Sequence, residues 1–177
     1  MFDFSIAPHI QELTLRVRRF VEDIVIPLEA HSHDDPVEGL PTQLLQDARA
    51  KAKSLGLWCP TMPTELGGIG LSLTEIVPVF EAAGRSLFGP LAIGAAAPDE
   101  GNLHLLHMFA TEGQREQYLK PLASGKVFSG FAMTEPAPGV GSDPSMVRTT
   151  AFGHSCAAVL ASPDNPPNQA RSPLALY

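Results

Sequence analysis

The sequence predicts a mainly α-helical fold, in which a bundle of helices is followed by a single β-strand. Two observations lead to this prediction. Apolar residues recur every three or four positions in five segments, as they do on one face of an amphipathic helix. These segments are residues 9–30, 42–55, 72–87, 98–110 and 111–125. The run of residues 127–134 is instead rich in β-branched and aromatic side chains, and it is followed by Pro136, Pro138, Gly139 and Gly141. Such a run predicts a strand that leads into an irregular loop.

The first two helices have the clearest apolar stripes. The stripe in residues 9–30 consists of Ile10, Leu13, Val17, Phe20, Val21, Ile24 and Leu28. Pro8 suits the first helical turn, whereas Pro27 removes a donor further in, so we expect a kink or an early end there. The inward residues predicted for 42–55 are Leu44, Leu45, Ala48, Ala52 and Leu55. Gly56 is expected to cap this helix in the left-handed conformation.

Two capping boxes mark the starts of later helices. They are residues 72–75 and 111–114, in which a hydroxyl residue precedes Glu75 or Gln114 by three positions. Pro78 is expected to bend the first of these helices. Its predicted inward residues are Leu73, Ile76, Val77, Phe80, Ala83 and Leu87. The predicted core residues of the next two helices are Leu103, Leu106 and Phe109, followed by Tyr118, Leu119 and Leu122.

Composition limits the classes of protein to consider. The chain has 177 residues, of which 44% are apolar, which is enough for one domain with a core, with or without a further fragment. Its net charge of −7 argues against a non-specific nucleic-acid binder and against adsorption to anionic membranes. No apolar run is long enough to span a membrane, and residues 1–6 lack the features of a signal peptide. We therefore expect a cytoplasmic chain, with an organellar location left open.

Cysteine and histidine residues are present, but their spacing does not favour a metal site. Cys59 and Cys156 are too few and too far apart for a disulfide framework or a zinc site. Residues 31–35 contain two histidines and two aspartates, for which a solvated loop is the commoner explanation. His104 and His107 lie three positions apart on a helix, where ordinary packed or surface histidines are more frequent than ligands. We predict no metal site.

The loop after the predicted strand has the composition of an anion-binding loop. Its glycines let the backbone approach a ligand, and unpaired N–H groups in such a loop form a concavity suited to an anion. Thr134 and Ser142 add hydroxyl donors. The local pattern alone also fits a plain exit from a strand, in which the prolines only end the sheet edge.

Six segments in order along the chain resemble the acyl-CoA dehydrogenase family. The first three are Leu55-Gly-Leu-Trp58, Met62-Pro-Thr-Glu-Leu-Gly-Gly68 and Glu81-Ala-Ala-Gly-Arg-Ser86. The next two are Ala97-Pro-Asp-Glu-Gly-Asn-Leu-His104 and Gln114-Arg-Glu-Gln-Tyr-Leu-Lys-Pro-Leu122 with Gly125. The last is Met133-Thr-Glu-Pro136 with Gly141-Ser-Asp143. The resemblance covers about residues 8–151.

The resemblance implies a cofactor, a substrate class and site residues. The cofactor is FAD and the substrate is an acyl-CoA thioester, with Phe131, Met133 and Thr134 along the flavin. The hydroxyl of Ser142 is implied to reach the cofactor pyrophosphate or the CoA moiety. The acyl chain is implied to lie beside Gly101, Asn102 and Leu105. Glu135 is not the catalytic base in this pattern, so no catalytic residue is assigned. The family is homo-oligomeric.

The resemblance also implies a domain organisation. Residues 1–126 correspond to the N-terminal helical domain of this family, and residues 127–151 to the start of its middle β domain. Residues 152–177 do not match and contain four prolines, so we expect a disordered tail. The family continues with further strands and a helical domain that supplies the catalytic glutamate. We expect a truncated chain that is inactive alone. The alternative is a non-enzymatic helical fragment that binds a partner or self-associates without FAD.

Overall fold

The computed structural model describes residues 5–32, 39–130, 150–154 and 157–161. The chain divides into two compact units, Met1–Phe128 and Ser129–Tyr177. The described part of the first unit is helical, as predicted. Its α-helices are α1 (Pro8–Phe20), α2 (Thr42–Ser54), α3 (Leu73–Ala83), α4 (Gly89–Ala92), α5 (Asp99–Phe109), α6 (Glu112–Gln114) and α7 (Lys120–Ala123). No helix among the described residues is both long and apolar enough to cross a membrane.

The helix that begins with α1 changes its hydrogen bonding before Pro27. A π turn, Val21–Val25, follows α1, and a 3₁₀ turn, Ile26–His31, follows the π turn. The N–H of Ile26 donates to the carbonyl of Val21, five residues earlier. A proline ring clashes with the carbonyl four residues before it in an α-helix, and the wider π turn avoids that contact. The expected disruption at Pro27 is therefore a change of helix type.

The same arrangement occurs between α6 and α7. A π turn, Arg115–Leu119, joins the two helices, and the N–H of Lys120 donates to the carbonyl of Arg115. Pro121 follows at the second position of α7. Each of these π turns thus ends two residues before a proline, which indicates one local cause for both.

Two buried apolar clusters hold the first unit together. The larger cluster joins α1, α2, α3 and α4, since α1 packs against α3 and α2 against α4. The predicted stripe of α1 is confirmed, because its first five residues are buried and Ile24 and Leu28 pack against this cluster. The smaller cluster joins the loop after α2 to α5 and to residues 112–123. Its buried members are Trp58, Cys59, Met62, Leu103, Leu119, Leu122 and Ala123.

Some predicted inward positions are wrong. In α3 the buried residues are Ile76, Val79, Ala82 and Ala83, with Phe80 half-buried. Leu73, Val77 and Leu87 are exposed, as are Leu55 after α2 and Phe109 at the end of α5. The error in α3 arises because its large apolar residues occur on more than one face, while two small alanines occupy the contact with its neighbours. Pro78 lies inside α3, whose α-helical hydrogen bonding continues to Ala83.

The second unit contains an antiparallel pair of strands, β1 (Thr150–His154) and β2 (Ala157–Ala161). Thr150 lies opposite Ala161, and His154 lies opposite Ala157. The prediction of a disordered tail from residue 152 is therefore wrong for the residues in these strands. A strand is stabilised by its partner strand, and the short stretch of residues 157–161 has no alternation by which to recognise it. Of the predicted strand 127–134, residues 127–130 are not in a strand, and the remainder lies outside the described residues.

The capping box at the start of α3 forms as predicted. The backbone N–H of Ser72 donates to Oε2 of Glu75 at 2.9 Å, and the Ser72 hydroxyl donates to the same oxygen at 2.6 Å. Both bonds favour the charged carboxylate, so Ser72 holds the pKa of Glu75 below its usual value.

We expect Ser72→Ala to make the stability of the helical unit less sensitive to acid. Because the pKa of Glu75 is lower in the folded than in the unfolded state, its stabilising effect is present at neutral pH and is lost as the pH falls through the folded pKa. Urea midpoints at pH 7 and at lower pH measure this effect. Ser54→Ala is the control, because the Ser54 hydroxyl donates to a backbone carbonyl and not to a carboxylate. Equal acid sensitivity in wild type and Ser72→Ala contradicts the prediction.

A close backbone contact joins α3 to α4. A Cβ atom added at Gly89 would lie 1.9 Å from the carbonyl oxygen of Ala83. The turn between them is fixed by Ser86, whose hydroxyl donates to Oε1 of Glu29 at 2.6 Å and accepts from the N–H of Phe88 at 3.2 Å. Position 89 therefore requires glycine for space.

Candidate functional site

The predicted site residues fall into two groups in the structure. Phe131, Met133, Thr134 and Ser142, predicted to hold the flavin, lie outside the described residues. Gly101, Asn102 and Leu105, predicted to border an acyl chain, lie on α5.

One face of α5 is apolar and open. Leu103 is buried in the smaller cluster, so the helix is anchored by its opposite side. Leu105, Met108 and Phe109 are 54%, 67% and 72% exposed. Gly101 lies one turn before Leu105, and a Cβ atom added there would meet no atom within 4 Å. This face offers apolar contact to a ligand and room beside Gly101.

Two side chains, Glu100 and Arg115, link α5 to neighbouring segments by hydrogen bonds. Glu100 accepts a hydrogen bond from the Thr61 hydroxyl at 3.1 Å and lies 3.0 Å from Nε2 of His104. Arg115 donates to the carbonyl of His107 at 2.6 Å and to that of Ala110 at 3.2 Å. His104 is thus paired with a carboxylate. Within residues 5–32, 39–130 and the two strands, no group of three metal-ligating side chains is found.

Trp58 connects the loop after α2 to the end of α7. Its indole Nε1–H donates to the carbonyl of Ala123 at 2.8 Å, and the ring is buried. Gly94 and Gly125 flank the ring, since a Cβ atom added at either would lie 2.9 or 2.8 Å from a ring carbon. Lys53 lies 4.4 Å from the ring centroid and donates to the carbonyl of Ser124 at 2.7 Å.

Cys59 is a packed thiol and not a nucleophile. Its backbone has a positive φ of 44°, and its N–H donates to the carbonyl of Ile93 at 2.8 Å. Burial raises the pKa of the thiol to about 12. The thiol therefore stays protonated at neutral pH, and the thiolate needed for covalent catalysis does not form.

Arg49 is a buried charge that the sequence analysis missed. It is 2% exposed, and its Nε–H donates to the carbonyl of Leu91 at 3.1 Å. Its guanidinium carbon lies 5.6 Å from the Trp58 ring centroid and 4.3 Å from that of Phe128. Helical spacing could have revealed its burial. Position 49 follows Leu45 by one turn and adjoins Ala48, so it lies on the inward face of α2.

Comparison with known proteins decides the family. Residues 7–126 match the model of the acyl-CoA dehydrogenase N-terminal domain, which is most of the chain. This chain belongs to the acyl-CoA dehydrogenase family. The match begins before α1 and ends after α7, so it includes all seven described α-helices, and it confirms the resemblance carried by the sequence motifs.

Similar proteins in the acyl-CoA dehydrogenase family are considerably longer than this chain. The "Probable acyl-CoA dehydrogenase FadE2" of Mycobacterium tuberculosis is 37% identical over 84% of this chain and 37% of its own length. "Acyl-CoA dehydrogenase family member 10" of Mus musculus is 34% identical over 75% of this chain and 13% of its own length. The chain thus spans little more than a third of the first of these relatives and less of the second.

Solved acyl-CoA dehydrogenase structures share the fold. A structure from Mycobacterium abscessus assigned to this family has a TM-score of 0.75 and 35% identity, over 88% of this chain and 41% of its own. A glutaryl-CoA dehydrogenase from Mycobacterium smegmatis has a TM-score of 0.64 over 88% of this chain and 38% of its own. Its identity is 20%, so this second likeness concerns the fold alone.

Proposed function

We propose that this chain supplies the helical domain and the flavin-binding segment of an FAD-dependent acyl-CoA dehydrogenase. The main support is the match of residues 7–126 to the N-terminal domain of the family. The motifs Met133-Thr-Glu-Pro136 and Gly141-Ser-Asp143, which follow directly along the chain, add support. The reaction is the α,β-dehydrogenation of an acyl-CoA thioester.

The residues proposed to hold FAD have suitable donors. The backbone N–H groups near Phe131 and Met133 and the hydroxyl of Thr134 would donate to polar atoms of the flavin. The hydroxyl of Ser142 and the glycine backbone beside it would donate to the pyrophosphate or to the CoA moiety. When bound, FAD supplies the acceptor for the hydride that leaves the β-carbon of the substrate.

The acyl chain is proposed to lie along the open face of α5. Leu105 provides apolar contact, Gly101 leaves space, and Asn102 lies between them in sequence. Removal of the α-proton requires a carboxylate base, which no residue of this chain is assigned to provide. We therefore expect FAD binding by this chain to be separable from acyl-CoA oxidation, and we expect the purified chain to show no oxidation without a partner that supplies the base.

We expect the purified chain to bind FAD and to show the visible absorption of a bound flavin. Ser142→Ala should weaken binding by about tenfold or more, because a hydrogen bond to a charged group contributes about 1.5–3 kcal/mol and about 1.4 kcal/mol is a factor of ten, whereas Thr134→Ala should weaken it by less than about tenfold. The smaller loss is expected for Thr134, whose acceptor on the flavin is uncharged. Fluorescence titration with FAD measures both effects. Thr74→Ala is the control, since Thr74 is exposed at the start of α3.

The same experiment distinguishes the proposed function from the alternative, a non-enzymatic helical fragment that binds no FAD. A non-enzymatic fragment that self-associates is favoured by the exposed apolar residues Leu73, Val77 and Met108. If the chain is colourless and cannot be reconstituted with FAD, the proposed function fails. Sedimentation of the same sample then shows whether these surfaces drive self-association instead.

A further inference from the structure

We infer that this chain self-associates by placing an exposed row of side chains on α3 of one copy into a groove beside α1 of a second copy. The row consists of Leu73, Val77 and Glu81, which are spaced four positions apart and therefore lie along one side of α3. The groove lies between α1, with the π turn that follows it, and the residues after α2. Neither surface contains a residue proposed to hold FAD or the acyl chain, so the inference goes beyond the proposed function and does not depend on it.

The groove is apolar inside and charged at its rim. Its walls are formed by Phe20, Ile24, Leu55 and Leu57, and its charged residues are Arg16, Arg19 and Asp23. The side chain of Arg16 is held at the rim, because it donates to the carbonyl of Leu55. The volume of the groove is about 220 Å³. An apolar cavity of about 150 Å³ accommodates a benzene molecule, so the groove has room for an aliphatic side chain.

The row on α3 presents side chains of the kind that such a groove would cover. Leu73 is 86% exposed and Val77 is 64% exposed, although both lie on a well-formed helix. Neighbouring apolar side chains on the open side of a helix are typical of a helix that docks into an apolar groove of another chain. Moving these side chains from water into the groove is favourable.

The charges of the two surfaces are complementary in one orientation. Among the residues that the structure describes, neither Arg19 nor Glu81 forms a hydrogen bond or an ion pair through its side chain. Arg16 and Arg19 precede Asp23 along the helix, so the two cations lie towards one end of the groove and the carboxylate towards the other. With α3 of the second copy antiparallel to α1, Glu81 pairs with Arg19 and stays away from Asp23. The parallel orientation brings two carboxylates together, which is unfavourable.

The two surfaces also match in length. Leu73 and Glu81 are eight positions apart, as are Arg16 and Ile24. Since a helix rises about 1.5 Å per residue, each surface extends roughly 12 Å along its helix axis. When Glu81 lies beside the two arginines, Leu73 therefore reaches the end of the groove that Ile24 lines. The same orientation thus satisfies both the charges and the apolar contacts.

The test is sedimentation of the 177-residue chain over a range of concentrations, with the two charges exchanged. Arg19→Glu and Glu81→Arg should each weaken self-association by about threefold to tenfold, because each converts an exposed ion pair into a like-charge contact. An equimolar mixture of these two variants should associate as the wild type does, since every contact between unlike copies again joins opposite charges. The chain that carries both changes should also recover, because its groove and its row are again complementary.

The apolar part of the contact is tested at Leu73. Leu73→Gln should weaken self-association by more than about tenfold, because it removes the side chain that the groove covers. Leu87→Gln is the matched control, since Leu87 is equally exposed but follows α3, outside the row. It should associate as the wild type does. The substituted positions are all exposed, so melting temperatures should be those of the wild type.

Three results would each overturn the inference. They are a wild-type chain that stays monomeric at every concentration, Leu73→Gln that associates as well as Leu87→Gln does, and a mixture of the two charge variants that associates no better than either alone. Each of these results leaves the proposed function intact, because FAD binding is measured separately and involves other residues.

Discussion

Replacing Trp58 with alanine is expected to lower the free energy of unfolding of the helical unit by about 3–5 kcal/mol. The indole is buried, and its N–H is bonded to the carbonyl of Ala123. Removing the ring leaves a cavity between Gly94 and Gly125, which have no side chains with which to fill it. Removing it also takes away one of the two aromatic faces near the buried guanidinium of Arg49. Since folded domains are stable by only about 5–15 kcal/mol, the loss is a large fraction of the total.

Urea denaturation followed by far-ultraviolet circular dichroism measures this loss, because Trp58 is the single tryptophan and the variant has no indole fluorescence. Trp58→Phe separates packing from hydrogen bonding. It retains an aromatic ring but leaves the carbonyl of Ala123 without its indole donor, so we expect an intermediate loss of about 1–3 kcal/mol. If Trp58→Ala costs less than Trp58→Phe, the cavity argument is wrong.

Gly89→Ala should destabilise the same unit by about 3 kcal/mol or more. The added methyl group would lie 1.9 Å from the carbonyl oxygen of Ala83, and that oxygen belongs to the backbone at the end of α3. No side-chain rotation can relieve the contact, so α3 and α4 must separate. The bond from Ser86 to Glu29 opposes such a separation.

Thermal unfolding of Gly89→Ala tests this prediction against a matched glycine. Gly113 lies in α6 with no atom within 4 Å of an added Cβ, so Gly113→Ala should leave the chain as stable as the wild type or stabilise it by up to about 1 kcal/mol. The two substitutions add the same methyl group and differ only in the space around it. A similar melting temperature for both variants shows that the backbone at position 89 adjusts more easily than the structure indicates.

The features that sequence predicted correctly are those that depend on neighbouring residues. The stripe of α1, the two capping boxes and the left-handed Gly56 can each be recognised from residues that lie within a few positions of one another along the chain. The buried face of α3 depends instead on which side of the helix meets α1. The sequence does not identify that side, because large apolar residues of α3 also occur on its exposed sides. Arg49 was missed for a related reason, because its partners Leu91, Trp58 and Phe128 come from distant parts of the sequence.

Only those features of the candidate site that correspond to sequence motifs could be predicted from the sequence. Family membership followed from ordered motifs, which the match to residues 7–126 confirms. The assignment of Phe131, Met133, Thr134 and Ser142 to the flavin stays a prediction, as does that of Gly101, Asn102 and Leu105 to the acyl chain. For α5 the structure shows which apolar residues are exposed, and the spacing of apolar residues in the sequence did not predict this correctly. Phe109 was expected to be buried, yet it lies exposed with Leu105 and Met108 because the helix meets the core through Leu103 and the partly buried Leu106.

The two π turns that precede Pro27 and Pro121 have a consequence for how this sequence can change. A π turn contains one residue more than an α turn, and at Pro27 and Pro121 this extra residue moves a carbonyl away from the proline ring, whereas α3 accommodates Pro78 without one. Deleting one residue from Val21–Val25 would restore α-helical spacing but press the ring of Pro27 against a carbonyl, and it would rotate everything that follows by about 100° around the helix axis. Replacing Pro27 alone would leave a π turn with nothing to require it. The extra residue and Pro27 are therefore coupled in this helix, and a variant that removes both should be more stable than one that removes the extra residue alone.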